Sequence, residues 1–303
     1  MIELYDDPDA FLAVAEDHLR ADPVVSTVLA TATLADRRDR ADGVPLPHRP
    51  RWWAVSRTGS EVTGCAFRSP TPFPPYLLPM PDRDARALAR ALHERCEDVR
   101  GASGATEACE AFAAGWSALT GARSRALVWS RLFEAPAIEP PAGVPGELRR
   151  AGAADLDVVV DHLAGFQHDA EVQAGRDGSA RAYDDLDRDA ALRRIRAGEF
   201  WVWSVDGQVV SSVGGHDDVF GASRVGPVYT PPQHRRHGYA AAATAALSQR
   251  LLDRGVRPCL FTDLANPTSN GIYTRIGFRP VRDTVELTFT DRTDRTDWAH
   301  ALA

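Results

Sequence analysis

Four prolines fall within residues 134–147, EAPAIEPPAGVPGE, almost at the middle of the 303-residue chain. Proline fixes φ and cannot donate to a backbone ladder, so neither a central strand nor a helix interior runs through such a stretch. The segment reads as an extended linker between two halves. The expected organisation is a first domain at 1–135, a linker at 136–146, a second domain at 147–291 and a C-terminal tail at 292–303. Each half is long enough to bury a core of its own.

The second half has a clear element order. AADLDVVVDHLAGF (153–166) has helical periodicity, and DDLDRDAALRRIRAG (184–198) gives another helix. FWVWSVDGQVVSSVGG (200–215) alternates around Asp206-Gly207, the strongest short hairpin signal. SRVGPVYT (223–230), CLFTDLA (259–265) and FRPVRDTVELTFT (278–290) read as strands, with a short helix at PTSNGIYTRIG (267–277). This order predicts an α/β fold with a mixed, mostly antiparallel sheet flanked by helices. Trp201 and Trp203 are expected in its core. The first half repeats the order loosely: a helix at 9–20, a hairpin at 52–67, a strand at 76–80, helices at 84–99 and 105–119, and a strand at 124–133. The likeness is one of pattern, which suggests an internal duplication.

Composition narrows the functions. All 35 basic residues are arginine, which excludes a lysine Schiff base and a Walker A phosphate loop. Such usage is that of a G+C-rich bacterial genome. A net charge of −7 supplies no general field for nucleic acid or anionic lipid, and no basic stripe is present. No apolar run reaches the roughly 18 residues of a membrane span, and the acidic start lacks a signal-peptide pattern. The four cysteines form no C-x-x-C pair, so a reduced, cytoplasmic setting and no metal are expected.

The chemistry concentrates at PPQHRRHGYAAAATAALSQRLLDRG (231–255), where a strand passes into an alanine-rich helix. A helix N-terminus leaves its first N–H groups unpaired and carries about half a positive charge. Gly238 and Ala240 leave the backbone open to an anion, and Arg235, Arg236 and His237 add charge at the rim. Taken by itself, the turn serves equally well as a capped β-α junction.

Arg235 to Ala240, Arg-Arg-His-Gly-Tyr-Ala, matches the R/Q-x-x-G-x-G/A signature of the GNAT (Gcn5-related) acetyltransferases. Downstream, Asn266, Ser269, Tyr273, Gly277 and Phe278 resemble that family's N-x-x-S-x-x-x-Y-x-x-x-G-F pattern. The resemblance covers residues 147–290. It implies acetyl-CoA as co-substrate and direct acetyl transfer to a primary amine of a small molecule or peptide. It places Val228, Tyr229 and Thr230 on a strand that splays from its neighbour and pairs with pantetheine. Arg235, Arg236, His237, Gly238, Tyr239 and Ala240 would hold the pyrophosphate, with Asn266 and Ser269 along the pantetheine arm. Tyr273 matches the family's acid for the departing thiolate.

The base is not legible: His216, Asp217, Asp218, Glu171 and His168 are candidates, and Arg224 stands where some members carry a glutamate. An acidic stretch with Asp169, Glu171, Asp177, Asp184, Asp185 and Asp187 reads as a wall favouring a cationic amine or, more simply, as a solvated loop. The first half reads as a degenerate GNAT-like copy. After its strand come Asp82 and Asp84 with no glycine, and Ser117 falls where Tyr273 stands. Two alternatives stay open: a non-catalytic acyl-CoA sensor, and a transferase for another acyl group.

Overall fold

The computed structural model describes residues 1–43, 52–69, 73–173 and 188–290. They divide into two compact units, one comprising Met1–Ser130 and the chain from Arg282 on, the other Arg131–Val281. The expected tail at 292–303 lies outside the described residues.

The first unit runs β1 (Ile2–Tyr5), α1 (Pro8–Ala21), α2 (Thr27–Ala41), β2 (Trp52–Thr58), β3 (Glu61–Arg68), β4 (Tyr76–Leu77), α3 (Asp82–Glu94), β5 (Gly101–Ala105), α4 (Thr106–Thr120) and β6 (Arg123–Glu134). The same order then repeats: β7 (Glu147–Arg150), α5 (Leu156–Gln173), α6 (Arg188–Arg196), β8 (Phe200–Val205), β9 (Gln208–Gly215), β10 (Ala222–Tyr229), α7 (Tyr239–Leu252), β11 (Arg257–Asp263), α8 (Pro267–Arg275) and β12 (Arg279–Thr290).

The last strand of each repeat straddles the division between the units: β6 runs from the first unit into the second, and β12 from the second into the first. One run of neighbouring strands is β1-β2-β3-β4-β5-β12, another β6-β11-β10-β9-β8-β7. β12 begins in the second unit, but Thr284–Thr288 pair antiparallel with β5, from Thr284↔Ala105 to Thr288↔Gly101. Val285 and Leu287 are buried in the first unit's core beside Leu88 and Phe112. β4–β5 and β10–β11 are parallel, and the other ladders described are antiparallel.

Local chemistry explains the elements. Asp7 caps α1, its carboxylate accepting from the Ala10 amide at 2.9 Å, with Pro8 in the first helical turn. Phe11, Leu12, Ala15 and Leu19 bury one face of that helix. In the β8–β9 hairpin, Asp206 and Gly207 both have positive φ, 49° and 82°, as a type I′ turn requires. β5 reads GASGA because its neighbours leave no room. A Cβ at Gly101 would strike the Leu287 carbonyl, and one at Gly104 the Leu77 carbonyl.

The proline-rich stretch is not a free linker. It belongs to the second unit, where the Ala135 amide donates to the Pro258 carbonyl at 3.0 Å and Glu139 to Ile276 at 3.1 Å. The Trp203 indole donates to the Pro145 carbonyl at 2.9 Å. Proline removes donors, but the Ala135 and Glu139 amides and the Pro145 carbonyl still find partners. Trp203 is in the core, as expected; Trp201 is only part-buried, with the Arg150 and Arg250 guanidinium groups 5.1 and 4.6 Å from its ring centroid.

The pairing of β12 with β5 has a measurable consequence. Leu287→Ala should cost about 2–5 kcal/mol in denaturant unfolding, as core truncations do. In hydrogen exchange, the amides of Gly101–Ala105 should lose protection while those of Gln208–Gly215 keep theirs. Equal loss in both strands would contradict the assignment of β12 to the first unit.

Candidate active site

The site begins where two parallel strands part. β10 and β11 are paired from Ala222↔Arg257 to Arg224↔Cys259, after which β10 continues to Tyr229 and β11 to Asp263 outside that ladder. β10 keeps its other neighbour: Val225 lies opposite Gly215, Val228 opposite Val213 and Tyr229 opposite Ser212, with an irregularity between Val225 and Val228. The Tyr229 carbonyl accepts from Ser211 Oγ at 2.8 Å and so faces β9. Successive peptide groups of a strand alternate in direction, which turns the Val228 N–H and carbonyl toward the open side.

Helices cover the two faces differently. Val213 and Val228 pack with Ala242 and Ala243 of α7. Ser212 and Tyr229 point to the opposite face, against α5. The Tyr229 hydroxyl lies over Gly165, where a Cβ would collide with it.

β10 ends at the turn that leads into α7. Arg235 is extended, Arg236 has φ 66° and Gly238 has φ 82° as the N-cap of α7. Left-handed backbone at a non-glycine residue costs on the order of 1 kcal/mol or more, and it concentrates at ligand sites. No side chain caps α7, so its first amides have no partner within the helix. A Cβ at Gly238 would lie 3.0 Å from Val144, and the left-handed φ further disfavours any other residue. Open amides, an exposed Arg236 and an exposed His237 form a donor set that fits a pyrophosphate. His237 stacks on Tyr239 at 5.3 Å between ring centroids.

Arg235 is engaged differently from its neighbours. Its Nε donates to the Thr230 carbonyl at 3.0 Å, its guanidinium pairs with Asp169 of α5, and it lies 5.8 Å over the Tyr229 ring. One member of the expected acidic wall is therefore in an ion pair. Asp177, Asp184, Asp185, Asp187 and the Glu171 side chain lie outside the described residues.

Asn266 and Ser269 open α8. The Asn266 carbonyl oxygen accepts from the Ser269 amide at 2.9 Å, an N-cap that explains asparagine there without any ligand. Tyr273, on the same helix, packs its ring edge-on against Phe278 at 6.0 Å and joins the cluster of Leu260 and Ile276. Burial pushes its phenol up to about 12.

The candidate bases separate on physical grounds. His216 is held well below the ordinary imidazole range by burial and by the nearby Arg224 and Arg194 charges; its Nε2 is 3.4 Å from the Arg224 guanidinium. Asp218 accepts from the Gly221 amide at 2.9 Å and so serves its turn. A histidine that sequence reading passed over does enter the site. His162 of α5 is 6% exposed, its Nδ1 lies 2.9 Å from Ser212 Oγ, and its ring meets Tyr229 edge-on at 5.5 Å. Burial lowers it to about 4, with Asp161 opposing and His234 reinforcing the shift. The available signal was a histidine on the apolar face shared with Val159 and Leu163.

The first unit's corresponding turn is closed. Pro81 precedes α3, whose first turn holds Asp82 and Asp84. Asp84 is 4% exposed and accepts from Thr63 Oγ1 at 2.6 Å. A buried carboxylate where an anion would sit repels it. Among the described residues no cluster of metal-binding side chains occurs, and no helix is long and apolar enough to cross a membrane.

The His162 environment sets a pH dependence. The unfolded imidazole takes a proton near pH 6.5, whereas the folded one resists until about 4, so stability falls as pH drops through that window. The loss attributable to His162 is at most about 3.5 kcal/mol. Denaturant midpoints at pH 7 and pH 5 should converge in His162→Gln relative to the wild type; an unchanged difference would contradict this environment.

Residues 220–287 match the model of the FR47-like protein family, which is GNAT-related. No curated protein matches the chain. Among solved structures, a Drosophila protein is 15% identical with a TM-score of 0.62, covering 95% of this chain and 98% of its own. A tandem GNAT protein from the clavulanic acid biosynthesis pathway is 15% identical with a TM-score of 0.54, covering 96% and 98%. A GNAT-family acetyltransferase from Colwellia psychrerythraea is 12% identical with a TM-score of 0.55, covering 96% and 100%. The chain thus has a two-domain GNAT fold and carries within its second half an FR47-like, GNAT-related domain.

Proposed function

We propose that the second half is an acetyl-CoA-dependent N-acetyltransferase acting on a primary amine of a small molecule or peptide. The observation that carries this reading is the opening between β10 and β11 leading into an uncapped α7 N-terminus. An extended thioester with a pyrophosphate at one end matches that combination of an unpaired strand edge and open helix amides.

In this reading the amides after Gly238, with Arg236 and His237, hold the pyrophosphate. Val228 presents its N–H on the open side, where such a donor stabilises the oxyanion of a tetrahedral adduct. The amine nitrogen attacks the thioester carbon, and the C–S bond then breaks. Tyr273, raised to about 12, keeps its proton and donates a hydrogen bond to the departing sulfur, since a thiol's ordinary pKa is about 8.5. Asn266 and Ser269 act by fixing the start of the helix that carries Tyr273. The first half, with Asp84 in its corresponding turn, supports the fold without binding the cofactor.

The second reading is an acyl-CoA sensor, and the Arg224 guanidinium beside His216, which places that candidate base poorly, favours it. Thiol release with acetyl-CoA and a panel of primary amines separates the two. Turnover is expected with at least one amine, falling about tenfold or more in Tyr273→Phe. Tight acetyl-CoA binding with no thiol release would favour the sensor. Gly238→Glu should abolish acetyl-CoA binding in calorimetry, by placing a negative side chain at the open amides. Wild-type affinity in that variant would reduce the turn to a helix start.

A further inference from the structure

The α5 face of the parted strand holds a constellation that the motifs do not name. Ser212 and Tyr229 are opposite one another across β9 and β10, so both side chains emerge on the same face. His162 is set against both of them, through Nδ1 to Ser212 Oγ and through its ring to Tyr229. Gly165, one helical turn on, is what lets the Tyr229 ring approach α5 so closely. A glycine inside a helix costs about 1 kcal/mol relative to alanine, so the close approach is maintained against local preference.

The imidazole is fixed at one nitrogen and open at the other. Nε2 has no hydrogen-bond partner among the described residues, nor is it among the buried polar atoms sealed without one. A buried ring with one nitrogen anchored to a serine and the other without a partner among the described residues suits a proton acceptor. The Tyr229 ring that it meets belongs to the residue after Val228, whose peptide group faces the opening. The other candidates are each placed less well: His216 sits beside the Arg224 guanidinium, and Asp218 is occupied by its own turn.

Resting on the N-acetyltransferase reading above, we propose that His162 is the catalytic base, taking the proton from the acceptor amine at Nε2, with Ser212 as a positioning residue. As the C–N bond forms and the C–S bond breaks, the nitrogen's surplus proton passes to Nε2 and then to water. The thiolate, assisted by the Tyr273 hydrogen bond, takes its proton from solvent. The charged and titratable groups near His162 are Asp161 on its own helix and His234 after β10, with the Asp169–Arg235 pair beyond. An imidazole held neutral by burial stays available at every pH where an amine is free, and the adduct's ammonium is far more acidic than a free one.

The test uses the full chain, acetyl-CoA, and a primary-amine panel of glycine, tyramine, spermidine and kanamycin, with thiol release as the signal. With the amine giving fastest turnover, His162→Ala should lower kcat about 100-fold while the acetyl-CoA Kd from calorimetry stays within twofold. Millimolar imidazole should restore the rate of His162→Ala several-fold, a rescue that a structural role does not produce. Ser212→Ala, a milder change, should lower kcat about tenfold with the same Kd. Wild-type kcat in His162→Ala would overturn the proposal, as would a loss that imidazole leaves untouched. Loss of acetyl-CoA binding in both variants would assign the pair a structural role and overturn it too. Wild-type protein that releases no thiol with any amine fails earlier, at the N-acetyltransferase reading itself.

Discussion

The parting of β10 from β11 governs the second unit. Parallel strands normally satisfy each other's amides along their length, and an exposed strand edge invites another partner. Here the ladder stops at Arg224↔Cys259, and β10 continues with one side open. What lies beyond follows from that choice. Val228 turns its peptide group outward, β10 delivers the chain to a helix start with no side-chain cap, and α8 begins just past β11 with Tyr273 packed beneath. The small residues of α7, Ala242, Ala243 and Ala245, bury its inner face and keep that helix close to its sheet.

Two halves with the same element order have thus diverged at one point. In the second unit the turn before α7 is held open by left-handed Arg236 and Gly238. In the first, Asp84 and Thr63 fill the corresponding place, and β4 is only two residues long. The first unit keeps the architecture and holds β12 against β5.

Much of this was legible from residues whose conformation admits few alternatives. Asp206-Gly207 specified its turn, and the run from Arg235 to Ala240 specified a strand-to-helix junction with open amides. The cap at Asn266 and the ring of Tyr273 belong to a second short motif on a helix. Other features carried no such signature. β5 is written in glycine and alanine because neighbouring carbonyls crowd it, which is the reverse of strand propensity. β7, Glu-Leu-Arg-Arg, reads as a polar connection. The prolines of 134–147 announced a linker, yet Ala135, Glu139 and Pro145 bind the second unit through their backbone. β12 was recognisable as a strand, but alternation identifies a strand and not its partner. His162 was hidden among Val159 and Leu163, since burial on an apolar face reads as packing until its partners are seen.

The pairing of β12 with β5 also orders events in time. During synthesis the chain emerges from its N-terminal end, so β5 is complete long before Thr284–Thr288 exist to pair with it. Closing that ladder joins residues nearly two hundred positions apart, a separation that slows folding. Until then the first unit carries an unfinished edge of small residues, and its core waits for Val285 and Leu287. The first unit's sheet is therefore completed only after the chain of the second unit has been synthesised.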